Sequence, residues 1–252
     1  MKDPVIPTVL AGRRVLVTGA SSGIGAAMSR SIVSHGGRVA IVARRAERLD
    51  GLAKELGSQA LALPCDVTDY KELDKIVAKA AVAFGSLDSV VANAGQALVG
   101  HIATGDPASW RKLLDVDLFG VLATVRAALP HFADNGPRDV LLVGSTAAAT
   151  PHEIAGVYSA AKRGVAAVAD SLRLELAPRS IRVCLLEPGD IATELRDRAV
   201  REEGRPATRP VTGTHTPMAP AELAEIVTFI LSRPERIALN HVVVRPTGEL
   251  TP

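Results

Sequence analysis

In Val15-Leu16-Val17-Thr18-Gly19-Ala20-Ser21-Ser22-Gly23-Ile24-Gly25 an aliphatic run breaks into a glycine turn and then into a helix-length amphipathic segment, Gly23–Ser34. Glycine adopts backbone conformations denied to other residues. Gly19 therefore permits the turn, Gly23 allows close approach of a ligand to the backbone, and Gly25 lets helix and strand pack together. The free N–H groups and the dipole at the helix start favour an anion such as a pyrophosphate. Glycine turns join many strands to helices, so the cluster alone is weak. The strand before it and the helix after it give it weight.

Outward from this turn the alternation repeats. Aliphatic runs lie at Val15–Val17, Arg38–Ala43, Ala60–Leu63, Leu87–Val91, Val140–Val143, Ile181–Leu186 and His241–Val244. Helical candidates fill the intervals at Gly23–Ser34, Ala46–Leu56, Lys71–Phe84, Pro107–Phe132, Gly156–Leu176 and Pro220–Leu231. Short strands separated by helix-length segments make βαβ units, hence an α/β fold. The expectation is a Rossmann-like, doubly wound parallel seven-stranded sheet flanked by helices, with its ligand at the carboxyl ends of the strands near the switch point. Asp69 with Glu72 has capping-box form, Asp106-Pro107 supplies a cap and a first-turn proline, and Pro178 ends the helix begun near Gly156.

No repeat or linker divides the chain, so residues 1–252 are expected to form one domain, with residues 1–11 as a short leader. Residues 190–219 break the rhythm: they hold Arg196, Arg198, Arg201, Arg205 and Arg209, several prolines and glycines, and few apolar residues. So long a segment between strand and helix is usually functional. It reads either as a solvated insertion or, from its place after the sixth strand, as a lid over the bound small molecule.

Composition sets bounds on partners. The chain is 47% hydrophobic but only 3% aromatic, so its core rests on Ala, Val, Leu and Ile, which suits a parallel sheet buried on both faces. A formal net charge of +2 with scattered basic residues gives no electrostatic case for nucleic acid. Cys65 and Cys184 have no partner motif and read as reduced core thiols. No apolar run approaches bilayer length and the first residues lack a signal-peptide pattern, so a cytoplasmic protein without membrane association is expected.

Four further motifs accompany the turn. Asp66-Val67 follows the third strand, and Asn93-Ala94-Gly95 follows the fourth. Tyr158 and Lys162 are spaced to share one helical face, and Ser145 stands at the end of the fifth strand. After the sixth strand comes Pro188-Gly189-Asp190-Ile191-Ala192-Thr193. Together these resemble the short-chain dehydrogenase/reductase family, whose turn has the spacing T-G-x-x-x-G-x-G. The resemblance runs from about Arg13 to Pro246.

The resemblance implies a cofactor site at Gly19, Ser21, Ser22, Gly23, Ile24 and Gly25. Asp66 and Val67 would contact the adenine, Asn93, Ala94 and Gly95 would lie beside the cofactor, and Pro188, Gly189, Ile191 and Thr193 would border the nicotinamide. It implies catalysis by Ser145, Tyr158 and Lys162, with Tyr158 and Lys162 also contacting the cofactor. Carbonyl reduction needs a hydride and a proton. A free tyrosine ionises near pH 10, and a neighbouring ammonium stabilises the phenolate. In that scheme Lys162 tunes Tyr158 and binds the nicotinamide ribose, Tyr158 donates the proton, and Ser145 positions the carbonyl oxygen. The cofactor supplies the hydride and no metal is required. The histidines lack metal-ligand spacing, and His152 is at most a pocket-lining residue.

The second strand ends in Ala43-Arg44-Arg45, where an NAD enzyme would carry an acidic residue for the ribose 2′-hydroxyl. Guanidinium groups suit the additional 2′-phosphate, and cations are poorly placed at a helix start without a ligand. Arg44 and Arg45 thus point to NADP(H). One position departs from the family pattern: Asp117 stands where its V-N-x-x-G element has Asn, a residue that helps hold a water linked to the catalytic lysine. A weakened activity or a shifted pH optimum is expected. The activity implied is a hydride transfer between NADP(H) and a carbonyl or alcohol substrate. Reduction of 3-oxoacyl thioesters and a non-catalytic NADP-binding redox sensor are the alternatives. Homodimers or homotetramers follow from the family.

Overall fold

Val15, Leu16 and Val17 alternate their side chains between two hydrophobic layers, and this alternation along each strand builds the whole core. The computed structural model describes residues 8–149, 153–197, 200–201 and 215–249. In chain order the elements are β1 (Arg14–Thr18), α1 (Gly23–Ser34), β2 (Arg38–Ala43), α2 (Ala46–Leu56), β3 (Ala60–Pro64), α3 (Tyr70–Phe84), β4 (Ser89–Ala92) and β5 (Leu98–Val99). There follow α4 (Pro107–Leu114), α5 (Gly120–Ala128), β6 (Arg138–Val143), α6 (Gly156–Leu176) and β7 (Ile181–Pro188). The last are α7 (Glu194–Asp197), β8 (Val200–Arg201), α8 (Pro220–Leu231) and β9 (His241–Val244).

Seven strands form one parallel sheet in the order β3-β2-β1-β4-β6-β7-β9. The order reverses between β1 and β4, which opens the switch-point crevice at their carboxyl ends. Leu16, Ala40, Val90 and Leu142 face the layer containing α3, α5 and α6. Val17, Ile41, Val91 and Leu141 face α1, α2 and α8. Burying each such side chain contributes about 1.5–3 kcal/mol relative to exposure. At the opposite edge of the sheet from the crevice lies a buried charge cluster. Asp139 accepts from Arg182 Nε at 2.7 Å and Nη2 at 2.9 Å, and also from Arg13.

Several expectations need correction. The helix anticipated over Pro107–Phe132 is broken: α4 gives way to a wide π-type turn at Asp115–Phe119, α5 resumes, and a 3-10 turn at Leu129–His131 closes it. The π turn brings Asp117 fully into the interior. The strand anticipated at Leu87–Val91 is Ser89–Ala92, and Leu87 makes only a single bridge to Phe132. Asp69 caps α3 by accepting from Glu72 N at 3.0 Å, while the Glu72 carboxylate pairs with Lys75 at 2.9 Å. The pairing of β5 with β8 has no sequence signal.

Both cysteines are free and buried. Burial pushes the Cys65 thiol up to about 11 and the Cys184 thiol up to about 12. Among the described residues no helix is long and apolar enough to cross a membrane.

Candidate active site

The turn after β1 has the conformation that its glycines anticipate. Gly19 has φ +69° and Gly23 has φ +53°, the left-handed region that disfavours side chains. A Cβ at Gly19 would also stand 2.8 Å from Asn93 Nδ2, and one at Gly25 would collide with the Gly19 carbonyl oxygen. Gly23 lies beneath Thr193, whose Cγ2 would be 3.2 Å from an added Cβ. Asn93 Nδ2 donates to Thr18 O at 2.9 Å, and Thr18 Oγ1 accepts from the backbone of Asn93 and Ala94, both at 3.1 Å. The ends of β1 and β4 are thereby locked across the crevice.

Ser22 precedes α1 but makes no side-chain cap. Its hydroxyl accepts instead from Arg45 Nη2 at 2.6 Å, and Ser21 Oγ accepts from Arg45 Nε at 3.0 Å. An uncapped helix start beside a guanidinium, over glycines that a Cβ would disrupt, fits the phosphates of a dinucleotide. Arg44 is mostly exposed and lies 3.7 Å from Asp66, whose other oxygen accepts from Thr68 N at 3.0 Å. Val67 turns inward and packs on Gly120, where an added Cβ would lie 2.7 Å from it.

The second half of the site comes from β6 and α6. Ser145, buried at the end of β6, caps a short 3-10 turn, its Oγ accepting from Ala147 N at 3.2 Å. Tyr158 and Lys162 stand one turn apart on α6, with Lys162 Nζ 5.7 Å from the Tyr158 ring centroid. Lys162 donates to Val143 O at 3.4 Å. Its closest acidic partner is Asp117, whose Oδ2 lies 3.2 Å from Nζ while Oδ1 accepts from Gln96 N at 2.8 Å. Gly95 makes room for this pair: a Cβ there would stand 3.0 Å from Asp117 Oδ2.

Both members of the pair have shifted ionisation. Burial pushes the Asp117 carboxyl above the usual carboxylate range, an effect that Lys162 and the Gln96 N–H offset only in part. Burial also works to discharge Lys162, but Asp117, together with Tyr158, outweighs it, and the ammonium holds its proton above the ordinary lysine value. The sequence reading placed Asp117 near Lys162 without finding this direct ion pair.

One cavity gathers these groups: Ile24 and Asn93 from the turn region, Ser145, Tyr158 and Lys162, and Pro188, Gly189, Ile191 and Thr193 after β7. Leu98, Val99, Ala147, Ile154 and Leu195 give it apolar walls. The ends of the arginine-rich segment are stitched together beneath it, Ala192 N donating to Met218 O at 2.9 Å and Met218 N to Asp190 O at 3.0 Å. His215 Nε2 lies 3.1 Å from Asp190 Oδ2, a contact that the sequence did not signal. His152, Arg198, Arg205, Arg209 and most of the anticipated lid lie outside the described residues, as do residues 1–7 of the leader.

Comparison with known proteins agrees with this geometry. Residues 13–204 match the short chain dehydrogenase family. The chain is 32% identical, over 98% of its length, to a glycine betaine reductase of Emericella nidulans, and spans 20% of that protein. It is 31% identical, over 95% of its length, to an uncharacterized oxidoreductase of Staphylococcus aureus strain MW2, spanning 99% of it. A closed serine dehydrogenase complexed with NADP+ superimposes with a TM-score of 0.82 at 27% identity, over 91% of this chain and 93% of the other. A 3-ketoacyl-(acyl-carrier-protein) reductase of Brucella melitensis complexed with NADH does so with a TM-score of 0.83 at 29% identity, over 94% and 98%. With a family match over most of its length, and a sheet whose order and crevice carry the same motifs, the chain belongs to the short chain dehydrogenase family of oxidoreductases.

Proposed function

We propose that the protein transfers hydride between NADP(H) and the carbonyl or alcohol group of a small, uncharged substrate. The observation that carries this reading is the single cavity joining the glycine turn to Ser145, Tyr158 and Lys162. Arg44 and Arg45 stand at the end of β2 with no acidic residue at Ala43, which supports the phosphorylated cofactor.

When bound, the nicotinamide supplies the hydride. The remaining work falls to the chain. Ser145 Oγ holds the carbonyl oxygen in place, and the Tyr158 hydroxyl donates the proton to the developing alkoxide. Lys162 keeps a positive charge beside Tyr158, and Asp117 anchors that charge from the buried side. Leu98, Val99, Ile154 and Leu195 exclude water and favour apolar substituents on the substrate.

A 3-oxoacyl thioester substrate is the second reading, favoured by the likeness to the Brucella reductase. In this reading of the chain as one domain, Phe119 and Leu122 on and beside α5 are exposed apolar residues suited to a homo-oligomer contact, and the free thiols suit a cytoplasmic setting. The test is NADPH oxidation with ketones, aldehydes and 3-oxoacyl thioesters, with Tyr158→Phe as control. Turnover lost in the control supports the reductase and separates the substrate classes. Tight NADPH binding with no turnover on any of them would favour a redox sensor instead.

A further inference from the structure

Arg45, one of the two arginines assigned to the 2′-phosphate, is already holding an anion. Its Nη1 donates to Glu194 Oε2 at 3.1 Å while Nε and Nη2 grip Ser21 and Ser22. The other oxygen of the same carboxylate, Oε1, accepts from Arg48 Nη1 at 2.7 Å. One carboxylate therefore bridges two guanidinium groups beside the glycine turn. All three side chains are only partly exposed, at 36% for Arg45, 42% for Arg48 and 39% for Glu194.

The chemistry of this arrangement is that of a phosphate site with a carboxylate in it. Guanidinium forks bind carboxylate and phosphate oxygens by the same charge-assisted geometry. A phosphate monoester carries more charge and more acceptor oxygens than Glu194, and partly exposed carboxylate pairs are weak enough to be displaced by it. Glu194 is also the first residue of α7, between Thr193, which covers Gly23, and Leu195, which lines the cavity wall.

We propose that Glu194 is an internal competitor for the cofactor's 2′-phosphate: it occupies Arg45 and Arg48 until NADP(H) arrives, and so sets the preference between phosphorylated and unphosphorylated cofactor. Arg48 thereby joins Arg44 and Arg45 as a phosphate-recognition residue. Exchange of the carboxylate for phosphate releases α7 from α2, which couples the adenosine end of the cofactor to the wall of the substrate cavity. This inference rests on the NADP(H) reading above.

The opposite role has the opposite sign. If Glu194 merely positions Arg45 for the phosphate, removing its charge weakens NADPH binding. The experiment is calorimetric titration of wild type and Glu194→Gln with NADPH, NADH, 2′-AMP and 5′-AMP. The expected result is NADPH and 2′-AMP binding about tenfold tighter in the variant, with NADH and 5′-AMP changed less than about twofold. Unchanged or weaker 2′-AMP binding overturns the proposal, as does equal tightening of NADH and NADPH. A wild type that prefers NADH overturns the cofactor reading itself. A wild type that prefers NADPH, with a Glu194→Gln variant that does not tighten, overturns only the competitor.

Discussion

Replacing Asp117 by Asn removes a buried negative charge 3.2 Å from the Lys162 ammonium while keeping the side chain's shape. At an effective dielectric of about 20, unit charges at that separation attract by roughly 5 kcal/mol. The amide oxygen retains part of this as an ion–dipole contact. In the wild type the carboxylate outweighs burial and keeps Lys162 protonated above the ordinary lysine range. In the variant burial acts with less opposition, so the ammonium is lost at lower pH. The stability that Lys162 contributes is present below its ordinary pKa and lost as pH rises through the raised one, and it shrinks with the partner. Burial-raised Asp117 has the reverse balance, since its ionised form opposes folding above the ordinary carboxylate range. The two effects offset each other in stability but not in activity. We predict that the alkaline limb of the kcat/KM profile moves down by about 1–3 pH units. Because the family usually carries Asn here, turnover near neutrality stays within about tenfold of wild type. The assay is NADPH oxidation from pH 6 to about 10, with melting temperature and NADPH affinity as controls. Superimposable profiles from equally folded, equally NADPH-binding proteins would refute the reasoning.

Three further outcomes follow from packing and charge. Leu16→Ala empties a fully buried site on β1 and should cost about 2–5 kcal/mol, read as a lower urea midpoint at unchanged slope. Gly25→Ala drives a methyl into the Gly19 carbonyl oxygen, so about 1–3 kcal/mol of stability and most NADPH binding should be lost, as titration of the folded fraction would show. Asp139→Asn leaves the buried Arg13 and Arg182 guanidinium groups facing an uncharged amide, far from the cavity. It should destabilise by about 3–5 kcal/mol while NADPH affinity of the folded protein stays within about twofold, and a loss confined to cofactor binding would contradict that.

What was legible in the sequence shares one property: it depends on neighbours along the chain. The glycine turn, the Tyr158–Lys162 spacing and the strand–helix alternation are set by local geometry, and the sheet follows from them by the rules of parallel connection. What stayed hidden depends on approach through space. Asp117 meets Lys162 only because a π turn interrupts the expected helix, and nothing in Leu114–Gly120 marks that turn by composition. Glu194 reaches Arg45 across 149 positions, and Asp190 is met by His215 from the far end of the arginine-rich segment. Arg13, Asp139 and Arg182 each looked like surface charge until the sheet placed them side by side.

The π turn at Asp115–Phe119 also sets a rule for chain length. Each residue of an α-helix advances about 100° around the axis, and a wide turn is what a helix becomes when it accommodates one residue too many. Deleting a single residue from this turn would let α4 and α5 run on as one regular rod, with better local hydrogen bonding. It would also put everything downstream out of phase with everything upstream by that same angle. Either Val121 and Val125 would leave the sheet, or Asp117 would leave Lys162. The surplus residue is thus a phase correction between two packed faces, and a chain that lost it would gain a better helix and forfeit the buried charge beside its lysine.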